Sequence, residues 1–294
     1  MQTQTAVQTV SSPLAQLLEN YSAEVTSNDR KSIETAATMM RPGSEVFIAS
    51  LPSDTGDRQV KAASVLRRAG LVPVPHVVAR NMTNFYELEK YLERLRNEAD
   101  VDRALILGGD RERPLGDLHS SLQILEAGLL PKHGIRKVAL AVYPEAHLRI
   151  SAGDIATARS AKLAAAIRSG LDVVFVSQFC FDSRPIVELA KQMSSQGITS
   201  PLRVGVAGPA SRTSLIKYAM LCGVGASVRA LKERQETARN LLAGETPELI
   251  LAEVASSRAA NSSLHIQGVH FFTFASLAST IQFVDHLRQG QIRI

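Results

Sequence analysis

Short apolar segments alternate along the chain with longer segments of helical periodicity. The apolar segments, which predict β-strands, span residues 21–25, 45–51, 71–78, 103–108, 137–143, 171–178, 202–207 and 268–274. Strands of a parallel sheet are buried on both faces and therefore form nearly continuous runs of Val, Ile, Leu and Phe. The repeated order of strand and helix predicts an α/β fold.

The segments between these strands carry signals for the start and end of helices. Residues 27–40 begin with Ser-Asn-Asp, which favours a helix N-terminus, and residues 57–70 end on a glycine, which favours a helix C-terminus. Similar segments predict helices at 84–99, 154–170, 184–197, 211–223, 227–258 and 275–289.

Eight strand and helix units in 294 residues predict a single (β/α)8 TIM barrel. We assign the barrel to residues 16–294 and a flexible N-terminal tail to residues 1–15. A doubly wound open sheet is the alternative, but no GxGxxG sequence follows the first predicted strand.

The composition is that of an ordinary globular protein. The chain is 45% hydrophobic and 21% charged, with a formal net charge of +5. Its Lys and Arg residues are scattered, which is weak support for nucleic-acid binding, and a small anionic ligand explains the mild excess equally well. No apolar run approaches the roughly 18 residues of a membrane span, and residues 1–12 do not resemble a signal peptide. We therefore expect a cytoplasmic protein that binds neither nucleic acid nor membrane.

Two cysteines, Cys180 and Cys222, occur in apolar surroundings and outside any CxxC sequence. This pattern argues against a disulfide framework and a Cys-rich metal site. Cys180 has no neighbouring histidine to activate it, so we do not expect it to act as a nucleophile. We predict no bound metal, because the histidines and carboxylates do not form an obvious set of three or four ligands.

Polar residues gather at the predicted carboxyl ends of the strands, where the active site of a (β/α)8 barrel lies. The residues at these ends form a set more polar than the strands that carry it: Glu24, Ser50, His76, Gly109, Asp110, Tyr143, Pro144, Glu145, Ala146, His147, Gln178, Gly208, Phe272 and Thr273. Of these, Glu24 is a candidate general acid, because a carboxyl group at a barrel mouth can have a raised pKa. A surface or ion-paired glutamate is the commoner alternative.

Each of the other candidates has a structural alternative. Asp110 either accepts hydrogen bonds from a ligand or caps a helix. His76 and His147 are each a single histidine at a strand end, and such a histidine is more often a structural hydrogen-bonding group than a ligand or base. The amide of Gln178 matches the edge of a heterocycle or is satisfied within the protein. Tyr218 either stacks on a flat ligand or packs as a half-buried helix residue.

Five short motifs, taken in order, resemble the methylenetetrahydrofolate reductase family. They are PHVV (75–78), LGGD (107–110), YPEAH (143–147), SQFCFD (177–182) and HFFTF (270–274). The resemblance extends over residues 20–290, and YPEAH followed by QFCFD is its most specific part.

The resemblance implies a barrel that binds FAD along the carboxyl ends of its strands and interconverts 5,10-methylenetetrahydrofolate and 5-methyltetrahydrofolate, with NAD(P)H as electron donor. It implies that Glu24 is the acid that opens the methylene bridge and that Asp110 lies between flavin and pterin. Gln178 would recognise the pterin, and Tyr218 and Phe272 would line the folate pocket.

The same resemblance places the flavin contacts. It implies that Ser50, His76, Tyr143 and His147 contact the cofactor, together with the turn of Gly109 and Asp110.

The chain also departs from the family pattern. Its first strand has AEVTSN where the family has an aromatic and proline-rich segment, and Gly108 and Ser276 replace two family arginines. The alternative is therefore a flavin-independent barrel that binds a folate or pterin, as a one-carbon transferase or an accessory subunit. A barrel with an unrelated small anionic substrate is the third hypothesis, and homo-oligomer formation is left open.

Overall fold

A computed structural model describes residues 12–52, 54–147, 149–222, 224 and 246–290. Eight parallel strands form one closed barrel in chain order. They are β1 (Ser22–Thr26), β2 (Glu45–Ala49), β3 (Val72–Val78), β4 (Arg103–Leu107), β5 (Lys137–Val142), β6 (Asp172–Ser177), β7 (Leu202–Ala207) and β8 (Ile266–Phe272).

The barrel is closed by pairing between its first and last strands. Ser22 lies opposite His270, and Glu24 lies opposite Phe272. This pairing confirms the single (β/α)8 barrel and excludes the open sheet.

Helices cover the outside of the barrel. Those in the described residues are α1 (Pro13–Leu17), α2 (Arg30–Met39), α3 (Gly56–Arg68), α4 (Phe85–Ala99), α5 (Ser121–Glu126), α6 (Leu129–Lys132), α7 (Ala152–Arg168), α8 (Ser183–Ser195), α9 (Arg212–Leu221), α10 (Glu248–Ala260) and α11 (Leu277–Arg288). Single 3₁₀ turns occur at Ala79–Asn81 and Ser262–Leu264. No helix in the described ranges is both long and apolar enough to cross a membrane.

Side-chain caps explain where several helices begin. The Asp29 carboxylate accepts a hydrogen bond from the Ser32 amide at 3.0 Å and so starts α2. The Asn84 side chain accepts one from the Glu87 amide at 2.9 Å and starts α4. Both caps lie at positions where the sequence pattern predicts a helix N-terminus.

The structure differs from the predicted elements in a few places. β8 ends two residues before the predicted boundary at 274, because Phe274 and Ala275 adopt left-handed backbone conformations, with φ of 47° and 64°. Helices α5 and α6 are only six and four residues long, too short for a periodic pattern to reveal. Residues 13–15 of the predicted flexible tail belong to α1, and most of the predicted helix over 227–258 lies outside the described residues.

The barrel interior has three levels. Its middle is a small apolar cluster of Phe47, Val74, Leu105, Ala139, Val174 and Val176. The amino end is closed by Glu45, whose carboxylate lies 2.6 Å from Arg103, 2.8 Å from Arg203 and 3.5 Å from Lys137. The carboxyl end is lined instead by Glu24 and its neighbours, and this asymmetry leaves the carboxyl end as the candidate site.

Candidate functional site at the carboxyl end of the barrel

Glu24 lies at the centre of the candidate site. Two histidines from other strands approach the same oxygen of its side chain: Nε2 of His76 lies 3.3 Å from Oε2, and Nε2 of His270 lies 3.8 Å from it. The Glu24 side chain is 20% exposed, whereas those of His76 and His270 are 8% and 1% exposed. The carboxylate is thus the member of this group that a ligand can reach.

The two imidazoles keep the Glu24 carboxyl group ionised. Burial alone raises its pKa, but interactions with His270 and His76 stabilise the charged form and outweigh burial, so that the pKa falls to about 2. This direction is opposite to the raised pKa expected for a general acid.

His270 is held from its other side by Ser22. The Ser22 hydroxyl oxygen lies 2.9 Å from Nδ1 of His270, and the ring also packs edge-to-face on Phe47 with centroids 4.5 Å apart. Burial lowers the pKa of His270, although the nearby Glu24 carboxylate opposes this shift.

Four aromatic rings form a cluster around the carboxyl end of β8. Phe272 and Phe274 are nearly parallel, at 27°, with centroids 6.5 Å apart. Phe179 lies beside both, at 5.2 and 5.3 Å, and Tyr218 stacks on Phe274 at 4.3 Å. The predicted ligand-contacting pair of Tyr218 and Phe272 is therefore brought together through Phe274.

Gln178 lies in a narrow cleft at the edge of this cluster. The cleft is lined by Tyr143, Pro144, Glu145, Ala146, His147, Gln178, Phe179, Cys222 and Val224. The Gln178 side-chain oxygen accepts a hydrogen bond from the Phe179 amide at 3.0 Å. This bond orients the side-chain amide of Gln178, and the amide nitrogen is the atom that could donate a hydrogen bond to a ligand.

Tyr143 and His147 pack against each other in the same cleft. Their rings meet edge-to-face with centroids 5.1 Å apart. Burial raises the pKa of Tyr143, and the charge of Asp110 raises it further. Asp110 is itself exposed. The predicted site residues that follow β4 and β5, namely Asp110, Tyr143 and His147, therefore lie on one side of the barrel mouth.

Ser50 and Gly109 lie at the rim of the mouth. The Ser50 hydroxyl accepts a hydrogen bond from the Asn81 amide at 3.4 Å, and the Asn81 oxygen accepts one from Arg111 at 2.8 Å. Gly109 has φ of 102°, and a Cβ there would lie 2.5 Å from Val78. Its backbone therefore needs glycine for a structural reason, whatever it binds.

His270, Ser22 and Phe274 are absent from the predicted site residues. The sequence does contain a signal for His270. It lies two residues before Phe272, so the two side chains face the same side of β8. Phe274 has no such signal, because its position depends on the left-handed turn after β8.

The described residues contain no group of three or more His, Cys, Asp or Glu side chains arranged to hold a metal ion. Burial raises the pKa of both Cys180 and Cys222 to about 12. Both sulfurs are thiols at neutral pH, which makes them poor nucleophiles.

No protein-family model matches the chain. Among solved structures, it is similar to dihydropteroate synthase from Yersinia pestis in complex with a pterin–sulfa conjugate, at 13% identity and TM-score 0.47, over 94% of this chain and 95% of that chain. The Thermus thermophilus enzyme has 14% identity and TM-score 0.47 over 93% and 95%. The Clostridium difficile enzyme, solved in the presence of pteroic acid, has 12% identity and TM-score 0.45 over 91% and 96%. At these values the similarity is one of fold.

These comparisons overturn the expectation of a methylenetetrahydrofolate reductase. The similar structures are consistently dihydropteroate synthases, a different family of folate-pathway barrels and a transferase rather than an oxidoreductase. The expected FAD cofactor is wrong together with the family, because it rested on that resemblance alone, and NAD(P)H as electron donor has no support. The flavin contacts inferred for Ser50, His76, Gly109, Asp110, Tyr143 and His147 lose their basis with the cofactor.

Proposed function

We propose that the chain is a flavin-independent barrel protein that binds a pterin or folate at the carboxyl end of its barrel. The observation that carries this proposal is the ionised Glu24 carboxylate, which two imidazoles hold beside a cluster of aromatic rings. A pterin is a flat fused ring with neighbouring N–H donors and a carbonyl acceptor along one edge. It can stack on aromatic side chains and donate hydrogen bonds to a carboxylate.

Glu24 supplies the acceptor for that edge. Both histidine contacts are to Oε2, and within the described residues Oε1 is left for a donor on the ligand. A hydrogen bond to an ionised carboxylate is roughly twice as strong as one between neutral groups. Buried surroundings strengthen it further, because they lower the local dielectric constant.

The aromatic cluster supplies the ring faces on which a pterin could stack. A planar ring inserted between two parallel rings needs about 7 Å between their centroids, twice the carbon contact distance of about 3.5 Å. Phe272 and Phe274 have centroids 6.5 Å apart and ring planes inclined at 27°. A flat ligand would need the two rings to separate further and to become more nearly parallel, with Phe179 as the inner wall. The amide nitrogen of Gln178 could then donate to a carbonyl or ring nitrogen of the ligand.

The ionised state of Glu24 also limits the chemistry that we assign to it. A carboxylate with a low pKa accepts protons poorly in the ligand-free protein, and it has none to donate. Its role is therefore to bind and orient the heterocycle and to stabilise positive charge that develops on it. This role fits both a one-carbon transferase and an accessory subunit.

Fluorescence titration tests the proposal directly. The chain contains no tryptophan, so the emission of a pterin can be followed without that background. We expect pterin or tetrahydrofolate to bind, and FAD and NADPH not to bind. Glu24→Gln should weaken pterin binding by about tenfold or more, because the ligand loses a charge-assisted hydrogen bond worth roughly 1.5–3 kcal/mol.

Glu34→Gln is the matched control, because Glu34 is exposed on α2 and pairs only with Arg30 among the described ion pairs. A wild-type protein that binds inorganic phosphate or a sugar phosphate but no pterin would contradict the proposal and favour the unrelated anionic substrate. Equal weakening by both variants would show that Glu24 does not contact the ligand.

A further inference from the structure

We infer that His270 is a positioning residue, which Ser22 holds in the tautomer that directs an Nε2–H group at Glu24 and so orients the carboxylate toward a ligand. The orientation of the carboxylate toward a ligand rests on the proposed function. The arrangement of Ser22, His270 and Glu24 is a property of the ligand-free protein.

His270 has no direct access to a ligand. The residue is fully buried, enclosed on one side by Phe47 at 4.5 Å and on another by Phe272 at 5.0 Å between ring centroids. Any effect of His270 on binding must therefore act through Glu24, the partly exposed neighbour that faces its Nε2 atom.

The tautomer follows from what surrounds the two ring nitrogens. A neutral imidazole has one donor and one acceptor nitrogen. With the proton on Nδ1, the lone pair of Nε2 would face the Glu24 carboxylate, which is unfavourable. With the proton on Nε2, the N–H group faces the carboxylate and Nδ1 accepts from the Ser22 hydroxyl at 2.9 Å. The Ser22 hydroxyl also lies 3.5 Å from the Val269 carbonyl oxygen, so it has two acceptors within reach. Donation over the shorter distance, to Nδ1, satisfies the lone pair of that nitrogen, and Ser22 thereby stabilises the tautomer that Glu24 favours.

The charged and titratable groups around His270 agree with a neutral ring. Glu24 favours a proton on it, whereas burial and the neighbouring His76 and Arg203 disfavour a second proton. At 3.8 Å the contact with Glu24 is longer than a hydrogen bond, and the buried N–H dipole acts on the carboxylate electrostatically. His76 approaches the same oxygen from β3, with Nε2 at 3.3 Å, so both rings act on Oε2 of Glu24.

The experiment is NMR spectroscopy of the ligand-free protein. The ¹⁵N shifts of His270 report its tautomer, and the ¹³C shift of the Glu24 carboxyl reports its pKa. We expect the Nε2–H tautomer in the wild type and a mixture of tautomers in Ser22→Ala. His270→Leu should raise the Glu24 pKa by at least about one unit, because burial remains and one donor is lost.

His270→Gln is the conservative variant, since its Nε2 group can replace the imidazole donor, and it should keep the Glu24 pKa below its ordinary value of 4.5. Ser177→Ala is the matched control for loss of a buried barrel hydroxyl, because Ser177 bonds the Gly205 amide and not a histidine. It should leave the His270 tautomer unchanged.

An Nδ1–H tautomer in the wild type, or an unchanged Glu24 pKa in folded His270→Leu, would overturn the inference. If His270→Leu does not fold, the wild-type tautomer and its response to Ser22→Ala still decide the question. A protein that shows these shifts but binds no pterin would support the inference and contradict the proposed function, so that the two failures can be told apart.

Discussion

The ring of Tyr218 lies parallel to that of Phe274, with centroids 4.3 Å apart and 12° between the ring planes. The contact depends on the backbone of Phe274, whose φ of 47° lies in the left-handed region that bulky residues rarely adopt. Because Phe274 covers one face of Tyr218, the ring available to a ligand on that side of the mouth is Phe274. Strain of this kind persists where the surrounding structure fixes it, often at functional sites.

Phe274→Leu tests the stacking role of this ring. Leucine keeps much of the bulk and requires the same backbone conformation, but it removes the aromatic face. We therefore expect pterin affinity to fall roughly two- to twelvefold, which corresponds to the ~0.5–1.5 kcal/mol of an aromatic pair. Tyr86→Leu, at an aromatic position that is 69% exposed, is the control. Fluorescence titration of both variants would contradict the role of Phe274 if their affinities were equal.

The oxygen and the nitrogen of the Gln178 side-chain amide can be tested separately. Gln178→Glu keeps the oxygen that accepts from the Phe179 amide but removes the amide donor, so the midpoint of thermal unfolding should change little while pterin affinity falls. Gln178→Ala removes both ends and should lower both quantities. Unchanged affinity in Gln178→Glu would show that the ligand does not use the amide nitrogen.

The strands and most helices could be predicted because their causes are local. Burial on both faces makes each barrel strand a continuous apolar run, and caps such as Asp29 are visible in the sequence. The closure of the barrel also determines which end of each strand faces the mouth. The sequence could therefore place Glu24, His76 and Gln178 at one end of the molecule.

The electrostatic state of Glu24 could not be predicted in the same way. Its pKa depends on His76 and His270, which lie 52 and 246 residues away in the chain. His270 comes near Glu24 because β8 pairs with β1 in the closed barrel. The family assignment failed for a related reason. Short motifs at strand ends reflect what a barrel mouth requires, and they do not specify which chemistry the mouth performs.

Gly205 sets the space around Phe272. A Cβ at this position would lie 2.0 Å from the Ser177 carbonyl oxygen and 2.9 Å from the Phe272 ring. We expect Gly205→Ala to reduce the free energy of unfolding by about 1–3 kcal/mol, the usual effect of overpacking. Gly268→Ala, where the nearest atoms are 3.5 and 3.6 Å away, should have a smaller effect. Urea denaturation would contradict this explanation if the two variants lost equal stability.

The ion cluster at the amino end should be essential for stability. Glu45 is the carboxylate shared by Arg103, Arg203 and Lys137, and these cations keep its pKa low against the effect of burial. Glu45→Gln would leave Arg203, which is 6% exposed, without its counter-ion. Removing one partner of a buried pair typically reduces stability by about 3–5 kcal/mol. A loss below about 1 kcal/mol in urea denaturation would contradict this view.

The low pKa of Glu24 predicts a specific response to acid. In the folded chain this pKa is about 2, below the ordinary value of 4.5, so the unfolded state binds the proton more readily. The ionised group therefore stabilises the fold above about pH 4.5, and this contribution disappears as the pH falls toward 2. Its full size is on the order of 3 kcal/mol, the free energy that corresponds to the difference between these two pKa values.

Glu24→Gln cannot titrate, so the comparison of the two proteins isolates this contribution. We expect the difference in free energy of unfolding between wild type and Glu24→Gln to shrink by about 2 kcal/mol between pH 7 and pH 3. His270, whose pKa burial lowers and Glu24 partly restores, also destabilises the fold below about pH 6.5. This loss is larger in the variant, which lacks Glu24, so the change of about 2 kcal/mol is an upper value. Urea denaturation at the two pH values, with Glu34→Gln as control, measures the change. A difference that stayed constant would mean that Glu24 titrates normally in the folded chain, and that the two histidines do not hold it in the ionised state.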